Sequence, residues 1–253
     1  MLWCAVSAAA QPKLNAPMVG IARDSRQQLR MVHGLTGTFV LHNVIGENAV
    51  EWAFDGENGL AVTKSQLLIL GAEGKVLATR SIPEGGTVAA SQAVFLPAEN
   101  ELWLSGPKGL AAKVPVNPDL IGGRVLAVGS MQGHSVALAV CREAALWLLS
   151  IDTQKGTLLE ESPQPEKISA SACHSNGTRS LLLLSDRFLV ATPHGLLVRT
   201  TAGVERTIPG AATHLARAGA GWVEMETGGA VHMIRITADG EKVYQLPAAK
   251  ERE

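Results

Sequence analysis

Two glutamates lie two residues apart in the run Trp222-Val223-Glu224-Met225-Glu226. Side chains at this spacing on a β-strand point to the same face, so Glu224 and Glu226 would stand side by side. Two neighbouring carboxyl groups can separate their pKa values, which lets one act as an acid and the other as a base. A solvated strand face has the same spacing, and the sequence favours that plainer interpretation.

A second acid pair, Glu51 and Asp55, flanks Trp52 near the end of a predicted strand. Groups at strand ends and on loops are often catalytic, because a rigid scaffold positions them at the surface. Asp55 also stands before Gly56, where an aspartate commonly caps a turn. The sequence favours a polar strand face followed by a capped turn, and it leaves Glu51, Asp55, Glu224 and Glu226 as the candidate catalytic residues.

The seven histidines are isolated from one another along the chain. His134 and His174 are the candidates for ligand binding, although a turn position beside Gly133 also explains His134. No Cys-x-x-Cys motif or Cys/His cluster has the spacing of a zinc site, so no metal is predicted. The sequence also lacks a P-loop, a dinucleotide fingerprint and a Gly-x-Ser-x-Gly elbow, and it therefore predicts no cofactor.

The charge balance argues against binding to nucleic acid or an anionic membrane surface, because the formal net charge is −1. The densest basic run, Arg23, Arg26 and Arg30, is expected on an exposed edge. The most apolar stretch, residues 135–151, is interrupted by Arg142-Glu143 and is too short on either side to cross a bilayer.

One pattern recurs along the chain: a short apolar run, a turn that contains glycine, and a second apolar run. Its copies open at Leu29, Leu67, Leu102, Leu146, Leu196 and His232. They are on average about 41 residues apart, which is the length of one four-stranded blade of a β-propeller. Each copy is typical of a hairpin, and a further apolar pair between copies completes four strands.

The sequence therefore predicts an all-β protein, a β-propeller of about six four-stranded blades, with five or seven as alternatives. Five units are complete, roughly 48–83, 92–116, 124–162, 168–209 and 212–247. The N-terminal segment supplies about three strands, which could complete a sixth blade by pairing elsewhere in the chain. Residues 135–150 also have helix propensity, and a β-sandwich satisfies the strand count, but the repeat period favours the propeller.

The first residues resemble the second half of a secretory signal peptide, because an apolar stretch precedes the small residues at positions 7–10. The positively charged start of such a peptide is missing. We expect residues 1–10 to be the remnant of a leader, residues 16–247 to be one propeller domain and residues 248–253 to be a polar tail. Export to the periplasm or exterior is predicted, with a cytoplasmic protein as the alternative.

Cys141 and Cys173 remain if that leader is removed. They could pair in an oxidising compartment, but the sequence favours two buried free thiols.

The stretch from Met18 to Ser25, leading to residues 29–37, resembles the opening of uncharacterised exported bacterial β-propeller proteins, YVTN- and quinoprotein-like in the broad sense. The likeness is strong over about 20 residues. It implies a six-bladed propeller and export, and it assigns no activity to particular residues.

Two functions remain open. The favoured one is a noncatalytic, monomeric binding or scaffold propeller of the cell envelope or exterior, with a protein, peptide or saccharide partner. The alternative is a propeller hydrolase or lyase with carboxylates and histidines at the channel mouth.

Overall fold

The computed structural model describes residues 16–83, 88–106, 109–174, 180–237 and 239–247. The predicted leader and the polar tail at residues 248–253 lie outside these ranges. The described residues form 23 strands and two α-helices. The strands are β1 (Met18–Arg23), β2 (Gln28–Leu35), β3 (Thr38–Glu47), β4 (Glu51–Phe54), β5 (Gly59–Val62), β6 (Gln66–Leu70), β7 (Val76–Ser81), β8 (Val88–Ala89), β9 (Ala93–Leu96), β10 (Glu101–Gly106), β11 (Gly109–Pro115), β12 (Arg124–Val128), β13 (Ser135–Arg142), β14 (Ala145–Asp152), β15 (Leu158–Pro163), β16 (Leu181–Leu183), β17 (Arg187–Thr192), β18 (Gly195–Thr200), β19 (Glu205–Pro209), β20 (His214–Gly219), β21 (Trp222–Thr227), β22 (Ala230–Thr237) and β23 (Gly240–Gln245). The helices are α1 (Pro118–Ile121) and α2 (Glu166–Cys173).

Consecutive strands pair in antiparallel order to form six sheets. Five sheets have four strands each: β4–β7, β8–β11, β12–β15, β16–β19 and β20–β23. The sixth sheet, β1–β3, has three strands. A single parallel pair, Ala53 with Arg217, joins β4 to β20.

The sheets are arranged around a ring. The innermost strands β4, β8, β12, β16 and β20 each pack against the next, and β20 closes the circle on β4. Clusters of buried apolar side chains fill the spaces between neighbouring sheets, for example Phe95 and Leu149 between β8–β11 and β12–β15. The predicted all-β propeller is therefore confirmed by the topology of the chain itself.

The repeat phase identifies which strand the three-stranded sheet lacks. The copies that open at Leu67, Leu102, Leu146, Leu196 and His232 all fall in the third strand of their sheets. The first copy, at Leu29, falls in β2, so β1–β3 correspond to the second, third and fourth strands of a blade. Within the described residues no other segment pairs with this sheet, so the possible completion by another part of the chain is not seen there. Counting this sheet as a blade gives six, and counting innermost strands gives five.

The missing innermost strand lets β1 approach β20 very closely. A Cβ atom added to Gly20 would lie 2.0 Å from the carbonyl oxygen of Ala218, and one added to Gly219 would lie 2.3 Å from that of Val19. Glycine at both positions is therefore a requirement of the contact. Apolar side chains of β1–β3 complete it by packing against both β4–β7 and β20–β23.

Residues 135–150 are strands β13 and β14, as the repeat phase predicts. Trp103 and Trp147 occupy equivalent places in β10 and β14. A helix does occur in a place the sequence did not predict: α2 begins two residues before the predicted unit 168–209, covers its first six residues and packs on β14 and β17. The Leu146 amide donates to the hydroxyl of Ser169, at 3.0 Å, and fixes the helix to the sheet.

Cys173 at the end of α2 forms a disulfide with Cys141 of β13. The expectation of two free thiols is wrong, because the helix brings Cys173 against the strand, with a distance of 5.7 Å between the two Cα atoms. The disulfide anchors α2 to the sheet β12–β15. Within the described ranges, no helix is long and apolar enough to span a membrane.

Candidate functional site

The acid pair of β21 meets a residue of β1. Glu224 and Glu226 point to one face of the strand, as predicted, and both contact Arg23. The backbone amide of Arg23 donates to Glu224 Oε2 at 2.9 Å, and its guanidinium Nη2 forms an ion pair with Glu226 Oε2. One arginine thus holds both carboxyl groups and ties the three-stranded sheet to β20–β23.

Glu224 is fully buried, with 0% of its surface exposed, so the expectation of a solvated strand face is wrong for this residue. Burial raises the pKa of Glu224 to about 8, because the charged form loses its hydration, and Arg23 only partly opposes that effect. Its Oε1 atom has no hydrogen-bond partner within the described part of the chain. At neutral pH the group is therefore mainly an uncharged carboxylic acid.

Aromatic rings complete the surroundings of Arg23. Its Cζ atom lies 5.2 Å from the centroid of the Trp52 ring, a cation–π distance. Trp52 in turn stacks on His214, with 4.8 Å between centroids and 29° between the ring planes. His214 is the cross-strand neighbour of Glu226 in the β20–β21 pair. We call Arg23, Trp52, His214, Glu224 and Glu226 the junction cluster.

The junction cluster is a closed structure. Arg23, Trp52, His214 and Glu224 are all buried, and only Glu226 retains partial exposure. A cavity of about 170 Å³ reaches Arg23, but neither glutamate lines it. A substrate would need access to the carboxyl groups, so the arrangement suits a structural contact between sheets better than acid–base chemistry.

Sequence reasoning missed two members of this cluster. Arg23 was expected on an exposed edge with Arg26 and Arg30, yet it is buried. Only Arg26 of the three is exposed, since Arg30 pairs with the buried Asp24 at 2.6 Å. His214 carries no local motif that could have distinguished it from the other histidines.

Glu51 and Asp55 lie at opposite ends of β4. Glu51 is its first residue and is buried, whereas Asp55 follows its last residue. Asp55 Oδ1 accepts the amide hydrogens of Glu57 at 3.0 Å and Asn58 at 2.8 Å. Asp55 is therefore the turn-capping residue that the sequence favoured.

His134 lies in the turn before β13, His174 follows the end of α2, and both are exposed. His134 Nδ1 lies 3.3 Å from the side-chain amide of Gln154. His174 Nδ1 donates to the carbonyl oxygen of Ala170 at 2.9 Å, and its ring lines a cavity of about 820 Å³ beside His194. Among the described residues, no three His, Cys, Asp or Glu side chains come together in a way that could hold a metal ion. Of the candidate residues, the described contacts bring only Glu224 and Glu226 together.

No protein-family model matches the sequence, and no curated protein matches it. Solved structures similar to this chain include the Pan2 WD40 domain of Neurospora crassa, with 9% identity, coverage of 92% of this chain and 80% of that one, and a TM-score of 0.43. Apo AztD from Citrobacter koseri is 15% identical, with coverage of 93% and 72% and a TM-score of 0.43. A streptogramin B lyase is 12% identical, with coverage of 81% and 70% and a TM-score of 0.41.

At these identities the likeness concerns the fold alone. A propeller fold on its own does not choose between binding and catalysis. The choice depends on the side chains of this chain.

Proposed function

We propose that the chain is a noncatalytic binding propeller of the bacterial cell envelope or exterior. The observation that carries this proposal is the enclosure of the paired carboxyl groups by Arg23. A hydrolase of this fold needs carboxyl groups that reach a substrate, and Glu224 is buried without lining the cavity beside it. The acid pair instead fastens one sheet to the ring.

The disulfide between Cys141 and Cys173 supports the location. Structural disulfides persist in oxidising compartments and are rare in the bacterial cytoplasm. The resemblance of the N-terminal segment to exported propellers points in the same direction.

The binding surface proposed is the ring face at which the innermost strands end. Asp55 follows β4, Ser130 follows β12 and Ser185 follows β16. A cavity of about 380 Å³ on this face is lined by both serines. Ligand sites of propellers commonly form at the mouth of the central channel, where loops from several blades meet.

A bulky side chain at this mouth should block binding. Ser185 is exposed and lines the cavity, so S185W should abolish capture of partners from a crosslinked envelope fraction by the tagged full chain. Ser65 is equally exposed but lies in the turn between β5 and β6, on the opposite ring face, so S65W is the matched control and should behave as wild type. Equal capture by the S185W variant would contradict the proposed surface.

Catalysis and location need separate measurements. The full chain should hydrolyse no ester, lactone or glycoside of a broad panel, with or without added Zn²⁺, Mg²⁺ or Ca²⁺. Turnover that is lost in both E224Q and E226Q would show an enzyme instead.

In fractionated cells, Cys141 and Cys173 should resist thiol labelling until reductant is added, and two free thiols in a cytoplasmic protein would contradict export.

A further inference from the structure

Arg217 of β20 reaches across the inside of the ring. Its Nη1 atom donates a hydrogen bond to the hydroxyl of Ser130, which follows β12. Strands β12 and β20 are not neighbours, because β16 lies between them and packs against both. The guanidinium group therefore crosses the channel at the mouth where the innermost strands end.

The hydrogen bonds of this guanidinium are few. A guanidinium group has five N–H donors. In the described part of the chain, Arg217 makes one side-chain hydrogen bond, and its acceptor is the neutral hydroxyl of Ser130. Burial lowers the pKa of Arg217, because the cation has lost much of its hydration.

The carboxylate that acts on this charge is Asp55, which raises the pKa of Arg217 and so partly opposes the effect of burial. Asp55 forms no ion pair with Arg217 among the described contacts, and its Oδ1 atom accepts two amide hydrogens of the turn that follows β4. A desolvated cation near one carboxylate, with donors still unused, is suited to an oxyanion ligand.

Space for such a ligand exists beside Arg217 and beside its hydrogen-bond partner Ser130. A cavity of about 130 Å³ is lined by Arg217 itself, together with Leu184, Ser185 and Asp186. The cavity of about 380 Å³ that contains Ser130 shares Leu184 and Ser185 with it. The hydroxyls of Ser130 and Ser185 are neutral donors that can bind a carboxylate oxygen or a ligand hydroxyl.

We propose that Arg217 anchors a binding site for a small hydroxylated monocarboxylate at the channel mouth. This inference rests on the proposed binding function and names the ligand class of that face. The guanidinium fork binds the carboxylate, and the two serine hydroxyls bind the rest of the ligand.

A monocarboxylate fits the charge of the site better than a phosphate dianion. Arg217 supplies one positive charge, and the nearby Asp55 offsets part of it. Asp186 also lines the smaller cavity, although its carboxylate is paired with Arg187 at 2.5 Å. A second negative charge on the ligand would be repelled by these carboxylates, and Arg217 has only one positive charge to offset it.

The test is titration of the purified full chain by calorimetry with gluconate, acetate, succinate and inorganic phosphate. Gluconate should bind saturably, and more tightly than the other three probes. R217Q should weaken gluconate binding by roughly 10- to 100-fold, because a charge-assisted contact is lost. R80Q changes an exposed arginine of β7 and should leave binding unchanged.

Substitution of Asp55 should change the affinity for gluconate in the opposite direction. D55N keeps the side-chain oxygen that caps the turn but removes the negative charge beside Arg217, so gluconate should bind several-fold more tightly. R217K keeps the charge and loses the fork, so it should bind more weakly than wild type, and it replaces R217Q if that variant does not fold.

The proposal is overturned if gluconate shows no saturable binding, if phosphate binds more tightly than gluconate, or if R217Q binds as wild type does. If any of these results is obtained and S185W also loses partner capture, the proposed binding function is supported but this ligand class is not. Turnover of the panel substrates would instead contradict the noncatalytic function, and the calorimetry would still decide whether ligand binds at Arg217.

Discussion

Glu224 should make the protein less stable as the pH rises through about 8. Its pKa is raised in the folded state above the ordinary value of 4.5. The folded protein therefore binds a proton that the unfolded chain releases. The stabilising contribution of this group is fully present below pH 4.5 and is lost as the pH rises through about 8.

The size of the effect follows from the pKa. A difference of one in pKa corresponds to about 1.4 kcal/mol, so the change from 4.5 to about 8 corresponds to roughly 5 kcal/mol across the whole range. Replacement by glutamine removes the titration, and the amide oxygen can still accept the hydrogen of the Arg23 amide. E224Q should therefore equal wild type in stability below about pH 4.5 and exceed it by several kcal/mol at about pH 9.

The assay is urea unfolding of both proteins at a series of pH values, analysed as the difference between their free energies of unfolding. Other titrating groups are common to the two proteins and largely cancel in that difference. Glu226 and His214 lie close by and Arg23 contacts the carboxyl group, so E226Q serves as the control. Its free energy of unfolding should still fall above about pH 6 relative to that of E224Q, as that of wild type does. Parallel pH profiles for wild type and E224Q would refute the burial argument.

Two variants test how α2 and β1 are held to the rest of the ring. Replacing both Cys141 and Cys173 with serine should lower the free energy of unfolding by about 4 kcal/mol, because the disulfide closes a loop with a sequence separation of 32; an unchanged urea midpoint in non-reducing buffer would contradict a formed disulfide. G20A should cost roughly 1–3 kcal/mol, since the new Cβ would lie 2.0 Å from the Ala218 carbonyl oxygen. G106A should cost less, because its nearest neighbours would be the Cβ of Ala111 at 3.3 Å and the carbonyl oxygen of Gly109 at 3.9 Å. A G20A variant as stable as G106A would show that β1 does not approach β20 so closely.

The sequence allowed prediction of the blade pattern because that pattern is local. Each copy of the repeat contains its own hairpin, and adjacent strands of one sheet are consecutive in the chain. The equivalent positions of Leu102 and Leu146 followed from the repeat alone, and the structure places both residues in the third strand of their sheets. The absence of an innermost strand from β1–β3 did not, because it depends on β20 meeting β4 from the other end of the chain.

The environment of the acid pair was mispredicted for a related reason. Alternation along a strand shows which side chains share a face, but it does not show what covers that face. In this ring a middle strand such as β21 lies between neighbouring sheets, and its first four residues are all buried. Glu224 therefore has the spacing of a solvated face and the surroundings of a core residue.

The hydrogen-bond and ion-pair partners of Arg23 and Arg217 indicate different roles for these two arginines. Arg23 contacts two carboxyl groups and an aromatic face, so its donors and its charge serve the junction between sheets. Arg217 is half-buried, yet its described side-chain hydrogen bond goes to the neutral hydroxyl of Ser130, and a cavity lies beside each of these two residues. Stability alone would favour a carboxylate partner for such a cation, because a partly desolvated charge without a close counterion is costly. Among the described contacts Arg217 has no such ion pair, which is the reason to look for the ligand at the channel mouth rather than at the acid pair.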